Sequence, residues 1–130
     1  MNSLTVLKLR NNEIEPKGVQ YLSNSYAVRN LMTLDLSSNL ILDEGFKFLT
    51  NASFLSNLHK LYINDAGLTS SSAQFLRESK FLGKLRVLSL GKNQLKEEGA
   101  IHLANCSNLE HLVELMINDN DIKEEGIMAI

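Results

Sequence analysis

The sequence predicts an α/β solenoid in which every repeated unit supplies one short strand and one helix. Leucines recur at a fixed spacing, and within each unit the apolar period changes from that of a strand to that of a helix. One strand and one helix of this length cannot bury their apolar faces alone, so the units must stack. The spacing is 27 residues, as shown by Leu4, Leu31, Leu58, Leu85 and Leu112. The chain therefore divides into units 4–30, 31–57, 58–84, 85–111 and 112–130, the last incomplete, which together form one domain.

Each unit opens with a strand. The pattern L-x-x-L-x-L, for example Leu85, Leu88 and Leu90, alternates apolar and polar residues, which is typical of a short half-buried strand. An asparagine and an aliphatic residue follow it, as in Asn93 and Leu95.

A helix follows the strand in each unit. Ala100, Leu103 and Ala104 have the i, i+3, i+4 spacing of one helical face. Acidic residues precede or open these helices, where negative charge complements the helix dipole: Asp43, Glu44, Glu97, Glu98, Glu124 and Glu125. In the third unit, Ser71 and Gln74 have capping-box spacing instead.

Stacking of the units in register buries these faces in one continuous core. Each fully buried leucine contributes on the order of 1.5–3 kcal/mol, so about six per unit strongly favour stacking.

The pattern L-x-x-L-x-L-x-x-N-x-[LI]-x-x-x-G-x-x-x-L resembles the leucine-rich repeat, in particular its ribonuclease-inhibitor-like subclass. This resemblance implies a right-handed βα superhelix with a parallel sheet on the concave face and helices on the convex face. It also implies a structural ladder of asparagine side chains that satisfies backbone groups in the turn after each strand. The matching residues are Asn12, Asn39, Asn93 and Asn120.

The third unit departs from the pattern at two positions. Ala66 replaces the ladder asparagine, and Ser72 replaces the glycine found at 18, 45, 99 and 126. Loss of a buried hydrogen-bonding side chain costs about 1–3 kcal/mol unless a neighbour substitutes. Asn64, Asp65 or Gly67 are placed to remodel this turn. Neutral drift in a tolerant repeat, a bend and a contact site all fit these departures.

Both ends of the chain look uncapped. Met1 to Ser3 fit the last three positions of a preceding unit, and Ile130 occupies a position filled elsewhere by leucine. We expect either a fragment of a longer array or a short protein whose open ends stack on something, including end-to-end self-association.

Composition limits the function classes. The net charge is −2 and the isoelectric point about 5.9, so neither nucleic acid nor a membrane is an expected partner. No apolar run approaches the roughly 20 residues that a membrane span needs. Cys106 is the only cysteine, which predicts a reducing, cytoplasmic location, or the host-cell cytosol if the chain is a secreted bacterial effector.

No catalytic or metal-binding pattern is visible, and we expect no enzyme, metal or cofactor. The three histidines, His59, His102 and His111, fall at the strand edge, on the helix and in the return loop, so they are expected not to converge. The cysteine and histidine spacing does not resemble a zinc site.

The outward strand positions form the expected binding surface. The central row is Lys8, Asp35, Tyr62, Ser89 and Met116, flanked by Val6, Thr33, Lys60, Val87 and Glu114 on one side. On the other side run Arg10, Ser37, Asn64, Gly91 and Asn118, and then Asn11, Ser38, Asp65, Lys92 and Asp119. Tyr62 is the only aromatic residue among them. We predict partner contacts from Tyr62, Met116, Arg10, Lys8, Asp35, Lys60, Asp65 and Glu114.

The resemblance implies a non-catalytic protein–protein interaction module whose partner docks on the concave sheet. Inhibitors, innate immune sensors and bacterial effectors share such repeats, and the sequence does not choose between them. One alternative is regulation of a partner enzyme, as in GTPase-activating repeat domains, for which Arg10 or Arg86 is the arginine to test. Another is a structural, self-assembling spacer.

Overall fold

A computed structural model of the chain describes residues 4–123. Strands and helices alternate along it, and two short 3₁₀ helices, Tyr26–Val28 and Ser53–Asn57, lead back to the following strand. The strands are β1 Val6–Lys8, β2 Thr33–Asp35, β3 Lys60–Tyr62, β4 Val87–Ser89 and β5 Glu114–Met116. The helices are α1 Pro16–Ser23, α2 Leu42–Thr50, α3 Ser70–Glu78 and α4 Lys96–Ala104.

The strands form one five-stranded parallel sheet in sequence order, β1 to β5. Equivalent residues of successive units stand opposite one another, for example Leu7, Leu34 and Leu61. This arrangement confirms the predicted α/β solenoid. The expected fifth helix, Gly126 and both chain ends fall in 1–3 and 124–130, outside the described residues.

The core lies between the sheet and the helices. Leu34, Leu61 and Leu88 at the strand centres are fully buried and share one apolar cluster with helix residues such as Phe46 and Leu76. Each described helix packs on the next one along the chain. Within residues 4–123 no helix has the length and apolar character needed to cross a membrane.

Asparagine side chains join the turns of successive units. Asn93 Oδ1 accepts hydrogen bonds from the backbone N–H groups of Ala66 and Leu68, at 3.0 and 3.1 Å. Its Nδ2 donates to the carbonyls of Ile63 and Leu90, at 2.9 and 3.0 Å. Asn39 serves the first unit in the same way, and Asn120 bonds to the fourth. The Asn12 side chain bonds only to carbonyls of its own unit among residues 4–123.

At Ala66 the missing asparagine is replaced by a local backbone bond. In the fourth unit, the Leu95 N–H donates to Asn120 Oδ1 at 3.1 Å. The equivalent N–H in the second unit, that of Ile41, donates instead to the Asn39 carbonyl at 2.8 Å. The preceding unit therefore closes its own turn, and Leu42 N–H still reaches the Ala66 carbonyl at 3.0 Å.

Helix α3 is capped by a residue other than the one expected. Thr69, one residue before the helix, accepts a 3.3 Å hydrogen bond from the Ser71 N–H through its hydroxyl. Ser71 lies inside the helix, and the Gln74 amide donates to Glu78. The capping-box interpretation of Ser71 and Gln74 is wrong, because α3 begins before Ser71.

Candidate binding surface

The outer face of β1, β2 and β3 forms a groove of about 380 Å³. It is called the N-terminal groove below, and its lining residues are Val6, Lys8, Arg10, Thr33, Asp35, Lys60, Tyr62 and Asn64. Five of the eight predicted contact residues therefore line one continuous surface.

The strand register explains why these side chains meet. Lys8, Asp35 and Tyr62 stand opposite one another on three neighbouring strands, whose spacing in a parallel sheet is about 4.8 Å. Alternation along each strand turns the leucine between each pair of outward residues, such as Leu61, into the core. One row of side chains thus crosses the strands on the outer face.

Positive charge predominates in the N-terminal groove. Lys8, Arg10 and Lys60 are exposed, and Asp35 is the one carboxylate among the lining residues. The Asp35 carboxylate accepts a 2.9 Å hydrogen bond from the Ser37 N–H, which fixes its direction. Within residues 4–123 none of these four charged side chains forms an ion pair. The three cations are therefore available to a ligand.

The other three predicted contact residues lie elsewhere. Asp65 lines a neighbouring depression of about 190 Å³ at the turn edge, which Arg10 also lines. Glu114 is exposed and Met116 half-buried on β5, at the other end of the described sheet. The structure separates these two residues from the N-terminal groove.

Some positions expected to face solvent are buried. Ser37 is fully buried and Ser89 is 4% exposed. Asn64 Oδ1 accepts hydrogen bonds from the Ser89 hydroxyl at 2.7 Å and the Gly91 N–H at 2.6 Å. The Asn118 side chain lies over Gly91. Alternation predicts which side of the sheet a residue faces. It does not predict that the side chains of Asn64 and Asn118 cover Ser89 and Gly91.

A second groove, of about 560 Å³, runs along the turn edge of the first two units. Its apolar part includes the exposed Leu40 and Leu42, and Glu13 and Glu15 flank it. Leu42 adopts φ of 59°, in the left-handed region. The full lining is Asn11, Glu13, Ile14, Glu15, Pro16, Ser38, Asn39, Leu40 and Leu42.

The expectation that the histidines do not converge is wrong for two of them. His59 and His111 line one depression of about 350 Å³ on the edge where the strands begin. This basic depression is lined by His59, Gly83, Lys84, Arg86 and His111. Sequence spacing could have found it, because the last residues of each unit come directly before the next strand.

The described residues offer little for catalysis or metal binding. Within 4–123 no three histidine, cysteine or acidic side chains lie close enough to hold a metal ion. Burial raises the pKa of the Cys106 thiol to about 11, and the nearby Arg77 lowers it only in part. At neutral pH this residue is a thiol rather than a nucleophilic thiolate.

Comparison with known proteins gives a family and a fold. The family model described as leucine-rich repeat matches residues 1–23, 29–49, 84–104 and 108–130. A tropomodulin C-terminal domain from Caenorhabditis elegans is similar in structure, with a TM-score of 0.75 and 16% identity; the match covers 98% of this chain and 80% of that one. The structure of leiomodin-1 actin-binding site 2 matches with a TM-score of 0.68 and 12% identity, over 96% of this chain and 75% of that one. No protein of curated function matches the sequence significantly. At these identities the structural likeness concerns the fold.

Proposed function

Because the chain belongs to the leucine-rich repeat family, we propose that it is a non-catalytic protein-binding module whose N-terminal groove takes an acidic segment of a partner. One observation carries the proposal: Tyr62 lies in a groove with three exposed cations and a single carboxylate.

These groups suit recognition of a protein. Tyrosine and arginine are enriched among the residues that dominate interface energies, and both Tyr62 and Arg10 line the groove. Lys8 and Lys60 add a positive field, which increases association rates and favours an acidic partner. Tyr62 is half-buried, so part of its ring is already held by its neighbours before a partner arrives.

A pull-down followed by mass spectrometry tests the proposal, with actin added to one arm as a defined partner. Actin is chosen because one of the similar structures, that of leiomodin-1, is an actin-binding site. The variant is Tyr62→Glu, and the matched control is Tyr21→Glu on α1, where the residue is 67% exposed. Circular dichroism establishes that each protein is folded.

A partner retained by the wild type and by Tyr21→Glu, but lost with Tyr62→Glu, supports the groove. Identical captured proteins for all three would contradict it. Met116→Glu, tested separately because Met116 lies on β5, shows whether the other end of the sheet contributes as well.

The alternatives predict different results. Regulation of a partner GTPase requires that Arg10→Lys or Arg86→Lys abolish stimulation of hydrolysis while binding persists. A self-assembling spacer requires concentration-dependent association in sedimentation experiments. A cytoplasmic location, or the host-cell cytosol for an effector, remains part of the proposal.

A further inference from the structure

The edge where the strands begin carries an ordered row of side chains. Backbone N–H groups of His59, Arg86 and Val113 each donate a 2.8 Å hydrogen bond to the carbonyl of the preceding unit, namely those of Met32, His59 and Arg86. The four residues come directly before the neighbouring strands β2, β3, β4 and β5, so they are about 4.8 Å apart at each step. The order along the edge is apolar, basic, basic, apolar.

The basic depression lies at the middle of this row. Its lining contains two permanent cations, Lys84 and Arg86, two histidines and no acid. Among residues 4–123 neither Lys84 nor Arg86 forms an ion pair. The acid beside the depression is Glu110, whose carboxylate is 3.7 Å from His111 Nε2, with both side chains largely exposed.

We propose that the basic depression binds a phosphate group carried by a short extended segment of a partner protein. A phosphorylated side chain carries between about −1.5 and −2 charges at pH 7, which the two cations of Lys84 and Arg86 match. The Arg86 guanidinium offers the planar fork that binds phosphate oxygens in pairs. Imidazole N–H groups of His59 and His111 are further donors on the same wall.

The apolar residues at the two ends of the row, Met32 and Val113, indicate which residues of the ligand lie on either side of the phosphorylated one. Met32 and Val113 are 39% and 81% exposed. Three strand spacings separate them, roughly 14 Å, which an extended peptide covers in about four to five residues. The expected ligand thus has an apolar residue about two positions before and two positions after the phosphorylated residue.

A protein segment fits better than an anionic membrane. Membrane attraction grows with the number of Lys and Arg residues near the surface, and the depression holds only two against a net chain charge of −2. The depression also shares no lining residue with the N-terminal groove. The two sites can therefore be tested independently.

The test is fluorescence anisotropy with a labelled peptide that contains one phosphoserine and a leucine two residues to either side. Its matched partner is the same peptide with unmodified serine. The protein variants are Arg86→Gln and Val113→Ser, and the control is Lys17→Gln at an exposed position of α1. Inorganic phosphate and vesicles containing a phosphoinositide serve as competitors.

We expect the phosphopeptide to bind at least tenfold more tightly than the serine peptide. Arg86→Gln should remove most of that difference, Val113→Ser should weaken both peptides, and Lys17→Gln should leave binding unchanged. Equal binding of the two peptides, or an unaffected Arg86→Gln protein, would overturn the proposal. Inorganic phosphate that binds as tightly as the phosphopeptide, or binding to the vesicles alone, would overturn the assignment to a protein segment.

Discussion

The Ser72 hydroxyl donates a 2.6 Å hydrogen bond to Oδ1 of Asp43, and so joins the third unit to the second. The same carboxylate accepts from the Thr69 N–H at 2.9 Å and from the Thr69 hydroxyl at 2.5 Å. The serine that replaces the usual glycine therefore has a partner in the neighbouring repeat. Ser72 lies in α3, the helix that follows the turn of Ala66, where the asparagine ladder has its gap.

Replacement of Asp43 by alanine is expected to lower the free energy of unfolding by about 2 kcal/mol. The substitution removes three hydrogen bonds to a charged acceptor, which are stronger than neutral ones. Urea denaturation gives the value. Glu44→Ala is the matched control, because Glu44 lies in the same first turn of α2 and is exposed. Equal losses for the two variants would show that only the helix dipole is involved.

Replacement of Asn93 by alanine is expected to cost about 3 kcal/mol or more. Asn93 is 3% exposed, and its side chain bonds to five backbone groups of its own and the preceding turn. Buried groups that lose their partner cost about 1–3 kcal/mol each, partly relieved by rearrangement. Asn12→Ala, at an exposed position with two carbonyl partners, should cost less than about 1 kcal/mol. Similar losses from chemical denaturation would contradict the ladder's role.

Gly67, in the third unit, has a left-handed backbone conformation that disfavours a side chain. Its φ is +74°, and a Cβ there would lie 2.7 Å from Leu42 Cδ2. Because Leu42 is partly exposed and can move, the backbone strain dominates, and Gly67→Ala should destabilise by about 1–2 kcal/mol. Gly83→Ala is the control, since a Cβ there meets no described atom within 4 Å. A thermal shift measurement that ranks the two variants equally would refute this.

Sequence periodicity predicts the parts of this structure that every unit repeats. The strand centre at Leu61 is buried, and Lys8, Asp35 and Tyr62 stand in one row because the register repeats without slippage. A fixed repeat length determines which residues are neighbours across strands. It therefore predicts the groove of the sheet face from the alignment alone.

What depends on individual side chains could not be predicted in the same way. Ser89 is buried because the Asn64 side chain reaches across to it, at 2.7 Å, and no period encodes that contact. Asp43 looks like an ordinary helix-opening acid in sequence, yet it caps the helix of the next unit through Thr69.

Burial raises the pKa of Cys106, the single thiol, from the ordinary 9.0 to about 11. At pH 8 the thiolate fraction should therefore be about a hundredfold lower in the folded chain than in the unfolded one. Alkylation by iodoacetamide, followed by mass spectrometry in buffer and in urea, measures this ratio. Equal rates in the two conditions would show that the thiol is accessible and unperturbed.

The same shift predicts a pH dependence of stability. The folded pKa lies above the unfolded one, so the thiol's contribution is complete below about pH 9 and is lost as pH rises toward 11. Urea titrations of the wild type should accordingly show a loss of stability across this interval that Cys106→Ala lacks. Comparison of the two slopes isolates the thiol, because every lysine and tyrosine that titrates in this range is common to both proteins. Parallel curves would mean that the folded chain does not keep Cys106 protonated.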